Sequence, residues 1–185
     1  MQRFVIVLFA LFAFAGIASA QVPTSGNVFF GYSYESVDSS AFEFANFDRS
    51  NLNGWEASLE GKVFPHVGIV ADFGGHYGNQ DINVVVGGVP GTQNISGHEL
   101  TVMFGPRVSV GVGRFRPFAE ALFGVGHMNT DLDSDTSFAT ALGGGVDFKI
   151  LKPLAWRFQG DYVQTRFFDA TQNNVRISTG IVLKF

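Results

Sequence analysis

The sequence predicts an all-β fold, eight antiparallel strands closed into an up-and-down β-barrel. Three observations predict it. Apolar residues recur at every second position along the chain after residue 20, with almost no run at helical spacing. The alternating segments number eight, and an even number lets an antiparallel sheet close with both chain ends on one side. The connections between segments alternate strictly between short and long. Glycine is abundant at 23 of 185 residues, but 46% of the chain is hydrophobic, which is too much for a disordered polymer.

Residues 1–20 are set apart from the barrel. A cationic start with Arg3, an apolar run from Phe4 to Ile17 and the small residues Ala18, Ser19 and Ala20 have the layout of a secretory signal peptide, cleaved near Ala20. The apolar run is shorter than the roughly 18 to 20 residues a spanning helix needs. The predicted domain is therefore 21–185.

In the first segment Val28, Phe30, Tyr32 and Tyr34 alternate with Asn27, Gly31, Ser33 and Glu35. In the second, Trp55, Ala57, Leu59, Gly61 and Val63 oppose Glu56, Ser58, Glu60 and Lys62, with a bulge allowed at Asn53-Gly54. The third sets Val67, Ile69, Ala71, Phe73 and Tyr77 against Gly68, Val70, Asp72, Gly74 and His76. The fourth sets Leu100, Val102, Phe104, Pro106, Val108 and Val110 against Glu99, Thr101, Met103, Gly105, Arg107 and Ser109. In the fifth and least regular, Ala119, Ala121, Phe123 and Val125 oppose Phe118, Glu120, Leu122 and Gly124. The sixth sets Phe138, Leu142, Val146 and Phe148 against Gly143, Gly145, Asp147 and Lys149. The seventh sets Trp156, Phe158 and Tyr162 against Arg157, Gln159 and Asp161, and the eighth sets Val175, Ile177, Ile181, Leu183 and Phe185 against Arg176, Ser178, Gly180 and Lys184.

Short turns are predicted at Phe64 to His66, Gly111 to Arg116 and Ile150 to Pro153. The other connections, Val37 to Asn51, Gly78 to Gly97, His127 to Ser137 and Phe167 to Asn174, are long and polar. That asymmetry belongs to barrels of an outer membrane. A soluble barrel with an apolar interior also alternates, and the polar face separates the two. Here it mixes charges with Gly68, Gly74, Gly105, Gly124, Gly143, Gly145 and Gly180. Small residues beside charges suit a narrow lumen that side chains must fill without crowding. The apolar face, with Trp55, Tyr77, Trp156 and Tyr162 near strand ends, is then the lipid face with aromatic girdles. The fold class is an eight-stranded antiparallel transmembrane up-and-down β-barrel.

The terminal Ile181-Val182-Leu183-Lys184-Phe185 and the segments Leu142 to Phe148 and Asp161 to Phe167 carry a resemblance across the whole predicted domain. The chain resembles the small eight-stranded outer-membrane barrels, similar to the OmpA transmembrane domain and to OmpX-like and porin-like families. The resemblance implies residence in a Gram-negative-type outer membrane. It also implies that Ile181, Leu183 and Phe185 form the signal read by the barrel-insertion machinery.

The predicted interior charge network comprises Glu56, Glu60, Lys62, Asp72, Glu99, Arg107, Glu120, Asp147, Lys149, Arg157 and Asp161. Folding back at the short turns sets Arg107 across from Glu120 and Asp147 across from Arg157. No metal, cofactor or catalytic site is predicted. His76 and His98 with Asp81 and Glu99 lack a metal-binding spacing, and His127 with Ser134, Ser137, Asp131 and Asp133 reads as a solvated acidic turn. Val84 to Gly88 followed by Pro90-Gly91 reads as a hairpin extending from the membrane, not a phosphate loop. A net charge of -4 gives no excess cations for nucleic acid. The expected partners are outer-membrane lipid, the insertion machinery and an unidentified surface ligand. The expected role is structural or surface-interacting through four long loops. A narrow ion or small-solute channel is the alternative, and a lipid-modifying barrel enzyme comes third.

Overall fold

The computed structural model describes residues 25–37, 50–86, 89–130, 134–166 and 172–185. The predicted signal peptide, residues 87 and 88, and the predicted loop residues Asp131 and Asp133 lie outside the described residues. The strands are β1 (Gly26–Val37), β2 (Ser50–Lys62), β3 (Val67–Val86), β4 (Val89–Ser109), β5 (Phe115–Thr130), β6 (Ser134–Lys149), β7 (Leu154–Thr165) and β8 (Gln172–Lys184). Each pairs antiparallel with its sequence neighbour, and β1 pairs with β8 to close the barrel.

Two sequence expectations are corrected. Gly78 to Gly97 is expected as a long polar connection with a hairpin only around Val84 to Gly91, but the β3–β4 ladder continues from Gly78↔Gly97 to Val86↔Val89. A ribbon that leaves the barrel wall has no face obliged to be apolar, so its strand character left no alternation to read. Arg116 was expected in a turn, but β5 begins at Phe115 and Arg116 pairs with Asp147. The turn is tighter than expected because Val112 bridges Phe115 around Gly113, whose φ of 62° suits glycine.

Stepping from partner to partner around the wall measures the stagger. The path from Gly26 runs through Gly61, Ile69 and Pro106, crosses to Ala121, and continues through Leu142, Tyr162 and Val175. It returns to β1 at Ser36, ten residues further on, so the strands tilt by roughly 40° to the axis.

The two faces follow the alternation. Phe30, Ile69, Phe104, Leu142, Phe158 and Leu183 stand exposed on the outer wall. Tilted ring pairs Phe115–Phe148 and Trp156–Phe158 lie near the short turns, while Tyr77 packs against His98 near the long connections. Inside, Gly143 shows why the polar face needs small residues: a Cβ there would strike Asp161 Oδ1 and the Gly160 carbonyl. The lumen is not polar throughout, in keeping with the placing of Val70, Met103 and Leu122 on the inward face. Val70, Met103, Leu122 and Val163 pack with Ala139 and Ala141 in an apolar wedge on one side.

Candidate functional site: the lumen

Inward side chains meet across the lumen because ten residues of stagger bring distant strands to one height. Near the turn end the organising group is the Phe118 ring. The guanidiniums of Arg107 and Arg157 lie 4.4 and 4.6 Å from its centroid. Two like charges so close require both the aromatic surface and nearby carboxylates. Arg107 Nε donates to Glu120 Oε2 at 2.6 Å, and its Nη1 lies 3.4 Å from Glu60. Arg157 Nε donates to Asp147 Oδ1 at 2.7 Å and its Nη2 reaches Asn27 Oδ1 at 3.3 Å. Arg116 Nη2 donates to Glu60 Oε1 at 2.8 Å, and Lys62 Nζ donates to Ser109 Oγ at 2.8 Å.

Toward the loop end Arg176 is the hub. Its Nη1 donates to Asp72 at 3.1 Å, its Nη2 to Asp161 at 2.9 Å, and its Nε lies 3.5 Å from Glu56. The Gln159 amide nitrogen links the two levels, 2.9 Å from Glu56, Glu120 and Asp161 alike. Above it, His76 Nε2 lies 2.9 Å from Ser33 Oγ, and its Nδ1 is 3.2 Å from Glu35. The side chains of these two levels and of the apolar wedge are buried or largely buried inside the barrel.

Of the residues predicted for the network, Glu56, Glu60, Asp72, Glu99, Arg107, Glu120, Asp147, Arg157 and Asp161 are buried inside, and Lys62 is largely so. The register sets Arg107 opposite Glu120 and Asp147 opposite Arg157. Lys149 departs from the expectation. It shares the parity of Asp147 but ends β6 at the turn, where its side chain is exposed to solvent. Sequence reasoning missed Arg116, Arg176, Glu35 and Lys184. Arg176 alternates with Val175 and Ile177, so the pattern that placed Arg157 inside applied equally to it.

Among the described residues, the weighed chemical constellations are not brought together. His76 pairs with Glu99, and His98 with the neighbouring Tyr77, so the two histidines face opposite sides of the wall. No group of three or more metal-ligating side chains stands together among the described residues. His127 Nδ1 lies 2.7 Å from Thr136 Oγ1, and Ser137 Oγ accepts from the Arg166 amide at 3.1 Å.

A family model described as outer membrane protein beta-barrel domain matches residues 5–185. No curated protein sequence matches. Among solved structures, neisserial surface protein A aligns with a TM-score of 0.65 at 9% identity, covering 86% of this chain and 97% of its own. Ail, the attachment invasion locus protein of Yersinia pestis, aligns at 0.57 with 14% identity over 87% of this chain and 98% of its own. The N-terminal β-barrel domain of Pseudomonas aeruginosa OprF aligns at 0.51 with 15% identity over 89% and 100%. At these identities the likeness is one of fold.

Proposed function

Since the chain belongs to the outer-membrane protein β-barrel domain family, we propose that it is a plugged barrel of the outer membrane with a structural or surface-interaction role exercised at its loop end. The observation that carries this reading is the set of charged side chains buried and paired across the lumen. A water path along the axis would have to pass the Arg107–Phe118–Arg157 stack and then the Arg176 hub. In this reading the paired charges close the middle, and the surface left for function is the one beyond the wall. Among the described residues the paired β3–β4 ribbon extends furthest along the chain. Its strands of 20 and 21 residues are about twice the roughly 9 to 11 residues a membrane crossing takes. The attachment invasion locus protein, similar in fold, bears a name in the same class of role.

In this reading residues 1–20 direct export and are removed near Ala20, and Ile181, Leu183 and Phe185 on β8 are recognised during insertion. The outward exposure of Leu183 and Phe185 suits such recognition. Purified folded protein in planar lipid bilayers tests the plug. No steady current is expected at neutral pH, and a stable open-channel conductance would overturn the reading in favour of a narrow channel. Protease added to intact cells should cut within 79–96 while leaving the barrel resistant.

A further inference from the structure

The opposite end of the barrel carries a site of its own. Between the start of β1, the β2–β3 turn and the end of β8 lies an open cleft of about 440 Å³. Lys62, Arg116 and Lys184 line its inner side, and Val63, Phe64 and Phe185 its outer side. All three cations are partly exposed, at 17%, 16% and 30% of their side-chain surface. Val63, Phe64 and Phe185 are each more than half exposed. A cationic floor beside an apolar rim is the complement of an amphiphile with an anionic head.

Charge accounting points the same way. Five cations, Lys62, Arg107, Arg116, Arg157 and Lys184, share the carboxylates of Glu60, Glu120 and Asp147. Three arginines hold the short contacts: Arg107 lies 2.5 Å from Glu120, Arg157 lies 2.7 Å from Asp147, and Arg116 lies 2.8 Å from Glu60. What is left for the two lysines is weaker. Lys62 Nζ is 3.6 Å from Glu60, and Lys184 Nζ is 3.9 Å from Asp147. The loosely paired cations of this end, Lys62 and Lys184, therefore sit at the cleft, and Arg114, Lys149 and Lys152 stand exposed on the neighbouring turns.

We propose that this cleft binds the phosphate of an anionic membrane lipid, with Lys62, Arg116 and Lys184 around the phosphate and the acyl chains against Phe64 and Phe185. Arg116, whose Nε and Nη2 are held by Ser109 and Glu60, offers its Nη1 to the phosphate, and the two lysines supply mobile point charges. A barrel of this family turns its short connections to the periplasm, so the lipid would come from the inner leaflet.

Native mass spectrometry of the folded full chain, released from nanodiscs of phosphatidylcholine mixed with phosphatidylglycerol, tests this. Wild type is expected to retain phosphatidylglycerol over phosphatidylcholine. Lys62→Gln with Lys184→Gln should lower that preference about tenfold, while Lys149→Gln with Lys152→Gln should change it less than about twofold. Equal retention of both lipids by wild type would overturn the proposal, as would an equal loss in the two double variants, since diffuse surface charge would then explain the binding. Inorganic phosphate titrated into pure phosphatidylcholine nanodiscs separates the sources, and binding there as tight as the lipid's would overturn the lipid assignment. Should the Lys62/Lys184 variant not fold, the wild-type preference must still fall as salt rises from 50 to 500 mM, by roughly the screening expected of partly exposed charges, and a salt-insensitive preference would count against it.

Discussion

Replacing Arg107 with Met removes a guanidinium of similar length and leaves its two carboxylates to their remaining partners. Glu60 is well provided for, since Arg116 donates to it at 2.8 Å and Asn27 at 2.7 Å. Glu120 retains only the Gln159 amide at 2.9 Å. The loss therefore falls on Glu120, a carboxylate with 3% exposure. Breaking a buried pair from one side costs about 3 to 5 kcal/mol, because the orphaned charge remains out of water. Adding Glu120→Gln removes that charge, and Gln159 can still donate to the new amide oxygen. The double variant should be more stable than Arg107→Met alone, with a coupling energy of at least about 2 kcal/mol. Urea unfolding of the protein refolded into lipid vesicles, followed by the fluorescence of Trp55 and Trp156, measures all four species. Losses that add within about 0.5 kcal/mol would refute the pairing argument.

Arg176→Met should destabilise more than Arg107→Met in the same titration, since Asp72, Asp161 and Glu56 share that one guanidinium as their paired cation. The reverse order would contradict the hub described for the loop-end half. On the outer wall, Leu142→Arg should cost about 2 to 4 kcal/mol, while Asn129→Arg, near the loop end, should be nearly neutral; equal effects would mean the faces are misassigned. Gly143→Ala should cost about 1 to 3 kcal/mol, because the new methyl displaces Asp161 from Arg176; refolding with wild-type stability would rule out that close approach. Deleting Phe185 should reduce heat-modifiable protein recovered from outer membranes more than shortening the β3–β4 ribbon does, and an unchanged yield would remove its role in assembly.

Much of this was legible in the sequence because two separate constraints coincide in a barrel. A period of two assigns each residue to a face, and a short turn fixes the register of its two strands. Together they placed Arg107 opposite Glu120 and Asp147 opposite Arg157 without coordinates. Neither constraint reaches across the lumen. Arg107 with Glu60 and Arg176 with Asp72 join strands whose relative height depends on the total stagger, which is settled only when β1 meets β8. The inward Phe118 was also opaque in meaning, since its place is earned by the two guanidiniums it separates. Lys149 went wrong at a strand end, where parity persists after the wall has stopped. The β3–β4 extension was read as a hairpin but not as a continuous ladder, for want of an apolar face.

The order of the strands also dictates when the interior can come into being. Seven of the eight seams join consecutive strands and are local in the chain, while the eighth pairs Asn27 with Lys184 and must bring the two ends together. Adjacent hairpins can form early and at little entropic cost. Yet several interior contacts cross that last seam: Arg157 to Asn27, Asn174 to Glu35, and Ser178 to Ser33. Until the seam closes, one side of every inward-facing arginine and carboxylate remains open to water, so their dehydration and their pairing fall within the same step. An open, partly zipped sheet gains little from the charges it carries, and the closed form gains from nearly all of them together. The lumen thereby makes closure a cooperative event, concentrating both the barrier to completion and the resistance to reopening at the seam between the first strand and the last.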